Sequence, residues 1–227
     1  MVPYKYTYLV YSLIFVVPWI LFFFKRKDLR NEMIFSSILI AVLSIATAYL
    51  WWTVDWWRPE TITGTIVGIE DILLGFTTGG IAAVAYEELF RRKLYKTKIK
   101  NPKVEFLFIL FLISILICLL TWMFGLLSWV ASSVAMIIGI VVLFFLRRDL
   151  TINALASGFF LMLATLPAYF LVMIVSPGWI ERTWLFENLT GKLFIGIPIE
   201  DVIFYFLMGF LVGPMYEVWM GDKLKRI

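Results

Sequence analysis

The sequence has no histidine, and only one of its 227 residues is cysteine. Without imidazole there is no Ser-His-Asp triad, no histidine-ligated metal and no side chain that titrates near neutrality unaided. The lone thiol, Cys118, lies in an apolar run, which excludes disulfide frameworks, zinc ribbons and cysteine-ligated clusters. No GxGxxG occurs and no GxxxxGK precedes Ser or Thr, so neither dinucleotide nor P-loop binding is signalled. Charge is scarce too, with Asp, Glu, Lys and Arg at 16%. From these absences no cofactor and no metal are expected. What is abundant is apolar side chain, at 62% of residues, against about 45–50% in an average soluble domain. Mean hydropathy is +0.93. A globule of this size cannot hide so much apolar surface from water, so the expected solvent is lipid. Any chemistry then rests on Asp, Glu, Tyr, Trp and Arg.

A hydrocarbon core of about 30 Å takes about 20 apolar residues per helix. Seven segments qualify: 6–24, 33–54, 70–90, 106–124, 126–146, 151–175 and 199–220. The fourth and fifth nearly touch through Gly125, which requires a tight turn. The first lacks a strong basic leader and a small-residue cleavage site, so it is expected to remain as a helix. Basic residues sort by side. The loops 25–32 and 91–104, Arg147 with Arg148, and Lys223, Lys225 and Arg226 hold 16 of the 20. Only Lys5, Arg58, Arg182 and Lys192 fall on the other side. This bias predicts an outside amino terminus and a cytoplasmic carboxyl terminus. The pI near 9.1 then reflects lipid contact rather than nucleic acid. The expected fold is an all-α integral membrane protein, with no soluble domain.

The third and seventh segments repeat one another. Ile69-Glu70-Asp71 and Tyr86-Glu87 recur as Ile199-Glu200-Asp201 and Tyr216-Glu217 at a constant offset of 130, and Gly79 matches Gly209. Three spans, a connecting fourth, and three more give a 3+1+3 plan in which both triplets run the same way across the membrane. The implied units are 1–90 and 126–227, joined by a linker and helix over 91–125. They form a parallel tandem repeat about an axis along the membrane normal.

Carboxylates inside a span are expensive and usually functional. Acids at a helix amino terminus also serve the macrodipole, but two acids in each of two copies favour function. Helical spacing puts Asp71, Gly75 and Gly79 on one stripe and Asp201, Tyr205 and Gly209 on the matching one, so the aspartates are expected to face neighbouring helices. Tyr86-Glu87 and Tyr216-Glu217, about 25 Å further along by helix rise, read as interface anchors, with Glu87 within i,i+4 reach of Arg91 and Glu88 of Arg92. The run Trp51–Glu60 reads as an aromatic belt, or as a wall of π faces around a cation or conjugated ligand. Arg58 is expected to pair with Asp55, Glu60 or an acidic pair.

Pro198-Ile199-Glu200-Asp201-Val202-Ile203-Phe204 resembles the PxE(E/D) motif of the membrane lycopene cyclases, a family of paired small subunits in some bacteria and fused chains in archaea and fungi. The fused members are similar to the 3+1+3 plan. The first copy departs at Gly68, where the motif has proline. The resemblance implies redox-neutral closure of a linear carotenoid ψ end to a β ring through a carbocation, without cofactor. It also implies roles. Glu70 and Glu200 are the expected acid/base pair, with Asp71 and Asp201 holding or coupling to them. Trp56, Trp57, Arg58 and Tyr205 are the expected substrate contacts. The partners implied are a carotenoid and the bilayer, with room for a homo-oligomer and none for nucleic acid. Two rival readings are a proton-coupled transporter and another isoprenoid-processing membrane enzyme. A retinal protein is disfavoured, because all eleven lysines fall in loops or tails.

Overall fold

The computed structural model describes residues 1–95 and 102–226. Of the basic loop after the third span, Lys96, Lys98 and Lys100 lie outside the described residues. The chain is mostly helical, with seven helices long and apolar enough to cross a membrane: Tyr4–Lys25, Lys27–Asp55, Ile69–Leu89, Pro102–Met123, Ser128–Leu146, Arg148–Val175 and Ile199–Met220. It is an integral membrane protein. The second span begins earlier than hydropathy alone predicts, because Lys27–Leu29 form a 3₁₀ turn that runs directly into the helix at Arg30.

Two breaks in the spans have local causes. Pro18 has no N–H to give to the preceding turn, and the first span breaks at Phe15 into Tyr4–Ile14 and Val16–Lys25. Pro214 follows Gly213 and splits the seventh span into Ile199–Val212 and Met215–Met220, a break the hydropathy pattern does not announce. The second and fourth spans end in π turns, Ala48–Trp52 and Leu119–Met123. The sixth span stays continuous through Pro167.

The third and seventh spans form the interior. Their most apolar windows are 78% and 61% buried, against 22–39% in the other five. The third packs on the second, first and sixth, and the seventh on the sixth, fifth and fourth. The glycine stripes set these approaches. A Cβ on Gly79 would lie 2.8 Å from the Ser36 carbonyl of the second span, and one on Gly209 would lie 2.6 Å from the Ser157 carbonyl of the sixth. Both are closer than atoms can sit, so the small residues carry backbone-to-backbone packing as their spacing predicts.

Short strands tie the ends. β1 (Arg92–Tyr95) pairs antiparallel with β4 (Lys223–Arg226), joining the exits of the third and seventh spans. At the opposite end, β2 (Leu193–Phe194) and β3 (Ile197–Pro198) form a hairpin that leads into the seventh span. There, too, Arg58 N–H donates to the Thr183 carbonyl and Leu185 N–H to the Trp56 carbonyl. Gly125 adopts φ +64° in the tight connection between the fourth and fifth spans. Asp55 caps the fifth, accepting from the Ser128 N–H at 2.9 Å and from its hydroxyl.

Candidate functional site

Asp71 and Asp201 sit in the first turns of the two central helices, where the free N–H groups and helix dipole favour an acid. Asp71 accepts from the Gly68 N–H at 2.8 Å and from the Tyr8 hydroxyl at 2.8 Å. Asp201 accepts from the Trp184 indole N–H at 3.0 Å and from the Tyr169 hydroxyl. Between them, the hydroxyls of Tyr11 and Tyr205 lie 3.0 Å apart, and the Tyr11 and Tyr169 rings are 5.0 Å centre to centre. Both aspartates face neighbouring helices, as their stripe predicts.

Glu70 and Glu200 point elsewhere. Glu70 accepts from the Ile62 N–H at 2.6 Å, and Glu200 from the N–H and hydroxyl of Thr190 at 2.7 and 2.6 Å. Each therefore pins the loop that precedes its own helix. The Gly68-for-Pro198 difference follows from the first of these loops. A Cβ at Gly68 would fall 2.2 Å from Glu70 Oε2 and 2.8 Å from the Thr61 Cβ.

A long apolar cavity starts at the two aspartates. Its wall there consists of Tyr8, Trp52, Trp56, Trp57, Phe204 and Tyr205; deeper in, it passes Ile40, Leu74, Ile113, Met208, Leu211 and Met215. It encloses about 1100 Å³ of space, counting that open to the surface. From Asp201 to Met215 is about 21 Å at helical rise. Trp56 and Phe204 meet edge to face at 5.2 Å, and Trp52 and Phe204 at 5.0 Å. Of the expected substrate contacts, Trp56, Trp57 and Tyr205 line this cavity, as do Asp71 and Asp201; Glu70 and Glu200 do not.

Arg58 does not line it either, and the pairing expected of it is wrong. Its guanidinium donates to the Thr53 and Val54 carbonyls at 2.9 and 3.2 Å, closing the end of the second span. Asp55 is taken by Ser128, and Glu60 pairs with Arg182 at 2.8 Å. Last-turn carbonyls lie nearer to Arg58 than any acid, and they need a donor.

The anchoring roles of Glu87 and Glu217 are likewise corrected. Both are fully buried, and Asn153 of the sixth span donates to both, at 3.1 and 2.6 Å. Glu88, rather than Glu87, meets the basic side chains, pairing with Lys25 and Arg26, and Arg92 lies over the Tyr86 ring. Glu32 joins this buried group and sequence reasoning missed it. A second, weaker repeat would have found it: Arg26-Lys27-Asp28-Leu29 recurs as Arg147-Arg148-Asp149-Leu150, which sets Glu32 opposite Asn153.

No curated protein and no solved structure matches the chain. One family profile does, described as lycopene cyclase, over residues 5–90 and 127–219. The two matched stretches contain both acidic pairs and every aromatic residue named above in the cavity wall, and leave out the fourth span. With most of its length matched on either side of that helix, the chain belongs to the lycopene cyclase family.

Proposed function

We propose that the protein converts the linear ψ end of a lycopene-type carotenoid to a β-ionone ring by acid/base isomerisation. A proton adds to the terminal double bond. A second double bond of the same chain attacks the cation and closes a six-membered ring. The ring cation then loses a proton. One proton enters and one leaves, so no oxidant or reductant is consumed. The observation that carries this reading is the cavity itself, a long apolar slot with two carboxyl groups and a cluster of π faces at one end.

The roles follow from position. Asp71 and Asp201 reach the cavity and are assigned the proton transfers, one in its acid form and one as acceptor. Tyr8, Tyr169 and Trp184 orient the two carboxyls. Trp56, Trp57 and Tyr205 offer π faces to the cation, and the apolar wall keeps out water that would trap it. Glu70 and Glu200 are assigned to the loops they hold.

A parallel repeat of 1–90 and 126–227, with 91–125 between, belongs to this proposal, as does the orientation with the amino terminus outside a prokaryotic cell membrane. Support for the repeat comes from paired contacts. Arg26 donates to the Glu87 carbonyl and Arg147 to the Glu217 carbonyl, and Gly79 and Gly209 make the same kind of helix approach. Family membership favours an enzyme acting on carotenoids over the transporter reading. The test is pigment analysis after expression in a lycopene-accumulating host, followed by conversion with purified protein in lipid. Ring-bearing product is expected without added flavin or nicotinamide. Strict dependence on either would refute the isomerisation.

A further inference from the structure

At the opposite end of the central helices from the aspartates, Glu32, Glu87 and Glu217 converge from the second, third and seventh spans, each with no exposed surface. One carboxylate oxygen from each lies within 4.8 Å of those of the others. Three carboxyl groups buried this closely need compensation, since an unpaired buried charge is among the costliest features a fold can carry. The compensation on hand is small. Asn153 gives its amide N–H groups to one oxygen of Glu87 and one of Glu217, and its own carbonyl is held by Ser157 at 3.1 Å. Both oxygens of Glu32 are buried with no hydrogen-bond partner among the described residues, while the Glu87 and Glu217 carboxyls lie against each other.

Two guanidinium groups near the cluster among the described residues, Arg26 and Arg147, are engaged elsewhere. Arg26 donates to Asp28, Glu88 and the Glu87 and Arg92 carbonyls. Arg147 donates to Asp149 and the Glu217 and Asp222 carbonyls. Neither guanidinium bonds a carboxylate of the cluster. The arrangement thus combines a fully buried Glu32 carboxyl with no partner among the described residues, an all-oxygen donor set, and ligands from separate helices.

We propose that Glu32, Glu87 and Glu217 hold one hard divalent cation of the Mg²⁺, Ca²⁺ or Mn²⁺ class. Carboxylate-only donors select that class over zinc or copper. The lack of histidine and cysteine removes nitrogen and sulfur sites but leaves this kind open, so the expectation of no metal, drawn from those absences, does not reach it. The third and seventh spans are about 24 Å of helix from their aspartates at this level. The cation therefore acts as a staple between the two halves of the bundle, apart from the reacting end.

The test uses full-length protein purified in lipid nanodiscs, stripped with chelator and re-equilibrated with Mn²⁺. About one tightly held Mn²⁺ per chain is expected, together with a rise in thermal midpoint that chelator reverses, because a site formed only in the folded state adds its binding to stability. E32Q and E217Q should each lose the Mn²⁺ and the chelator-reversible rise. Fe²⁺ substituted into the wild-type site, with ascorbate and peroxide, should cut the backbone near residues 32, 87 and 217. This locates the ion even where the variants fail to accumulate. No stoichiometric Mn²⁺ in the wild type, cuts at other positions, or unchanged Mn²⁺ in folded Gln variants would each overturn the site. The cluster would then be a set of protonated carboxyls.

Discussion

Replacing Asp201 with Asn separates proton transfer from packing more cleanly than any other change at the cavity. Asparagine has the same outline, and its carbonyl oxygen can still accept from the Trp184 indole or the Tyr169 hydroxyl, the two donors that now share the carboxylate. One donor loses its partner, which costs about 1–3 kcal/mol of stability. The loss of proton exchange is larger. General acid or base groups contribute about 10²–10⁴-fold, or about 2.7–5.4 kcal/mol of barrier at 1.36 kcal/mol per decade. Initial rates of ring formation in lipid, at matched folded protein, should therefore fall by about 10²–10⁴-fold, while the amount of protein reaching the membrane changes little. Y169F removes one of the same donors and keeps the carboxyl, so it should cost much less in rate. If D201N stays within tenfold of wild type while E200Q falls by the full amount, the acid/base role returns to the glutamate. The assignment made from the cavity would then be wrong.

E70Q and E200Q should retain cyclisation within about tenfold, because a glutamine carbonyl still accepts from Ile62 or Thr190 at a cost near 1 kcal/mol; product analysis at matched expression checks this. G209A forces a methyl group to within 2.6 Å of the Ser157 carbonyl and should lower stability by about 1–3 kcal/mol, seen as a lower thermal midpoint in detergent. For orientation, a K98C variant lacking Cys118 should react only with thiol reagents that reach the cytoplasm. Labelling from outside alone would invert the assignment and the aspartates with it.

Some of this was legible in the sequence for clear physical reasons. Seven runs of the right length cannot be much else in a chain with so few charges, and the pairs Glu70-Asp71 and Glu200-Asp201 stood out because both letters recur in each copy. Which member of each acidic pair meets the preceding loop and which lines the cavity was hidden, since adjacent residues on a helix differ only by rotation. Arg58 was misread because the sequence does not show that Asp55 is taken by Ser128 and Glu60 by Arg182, which leaves the carbonyls at the helix end for its guanidinium. Glu32 was hidden by divergence. Its counterpart is Asn153, so the pair carries no repeated letter even though both side chains reach the same buried cluster. The break at Gly213-Pro214 was invisible to hydropathy, which counts apolar residues and ignores whether a backbone N–H is present.

The fourth span is the least buried of the seven, yet Leu110, Ile113 and Ile117 from it line the cavity. On that side, the slot and the surrounding acyl chains are separated by a single helix, about 10–12 Å across with its side chains. A long polyene already dissolved in the bilayer thus has no aqueous leg in its path to the aspartates. The quantity that sets saturation is then its mole fraction among the lipids, and diluting the membrane with inert lipid should slow turnover even when the bulk concentrations of enzyme and substrate stay fixed.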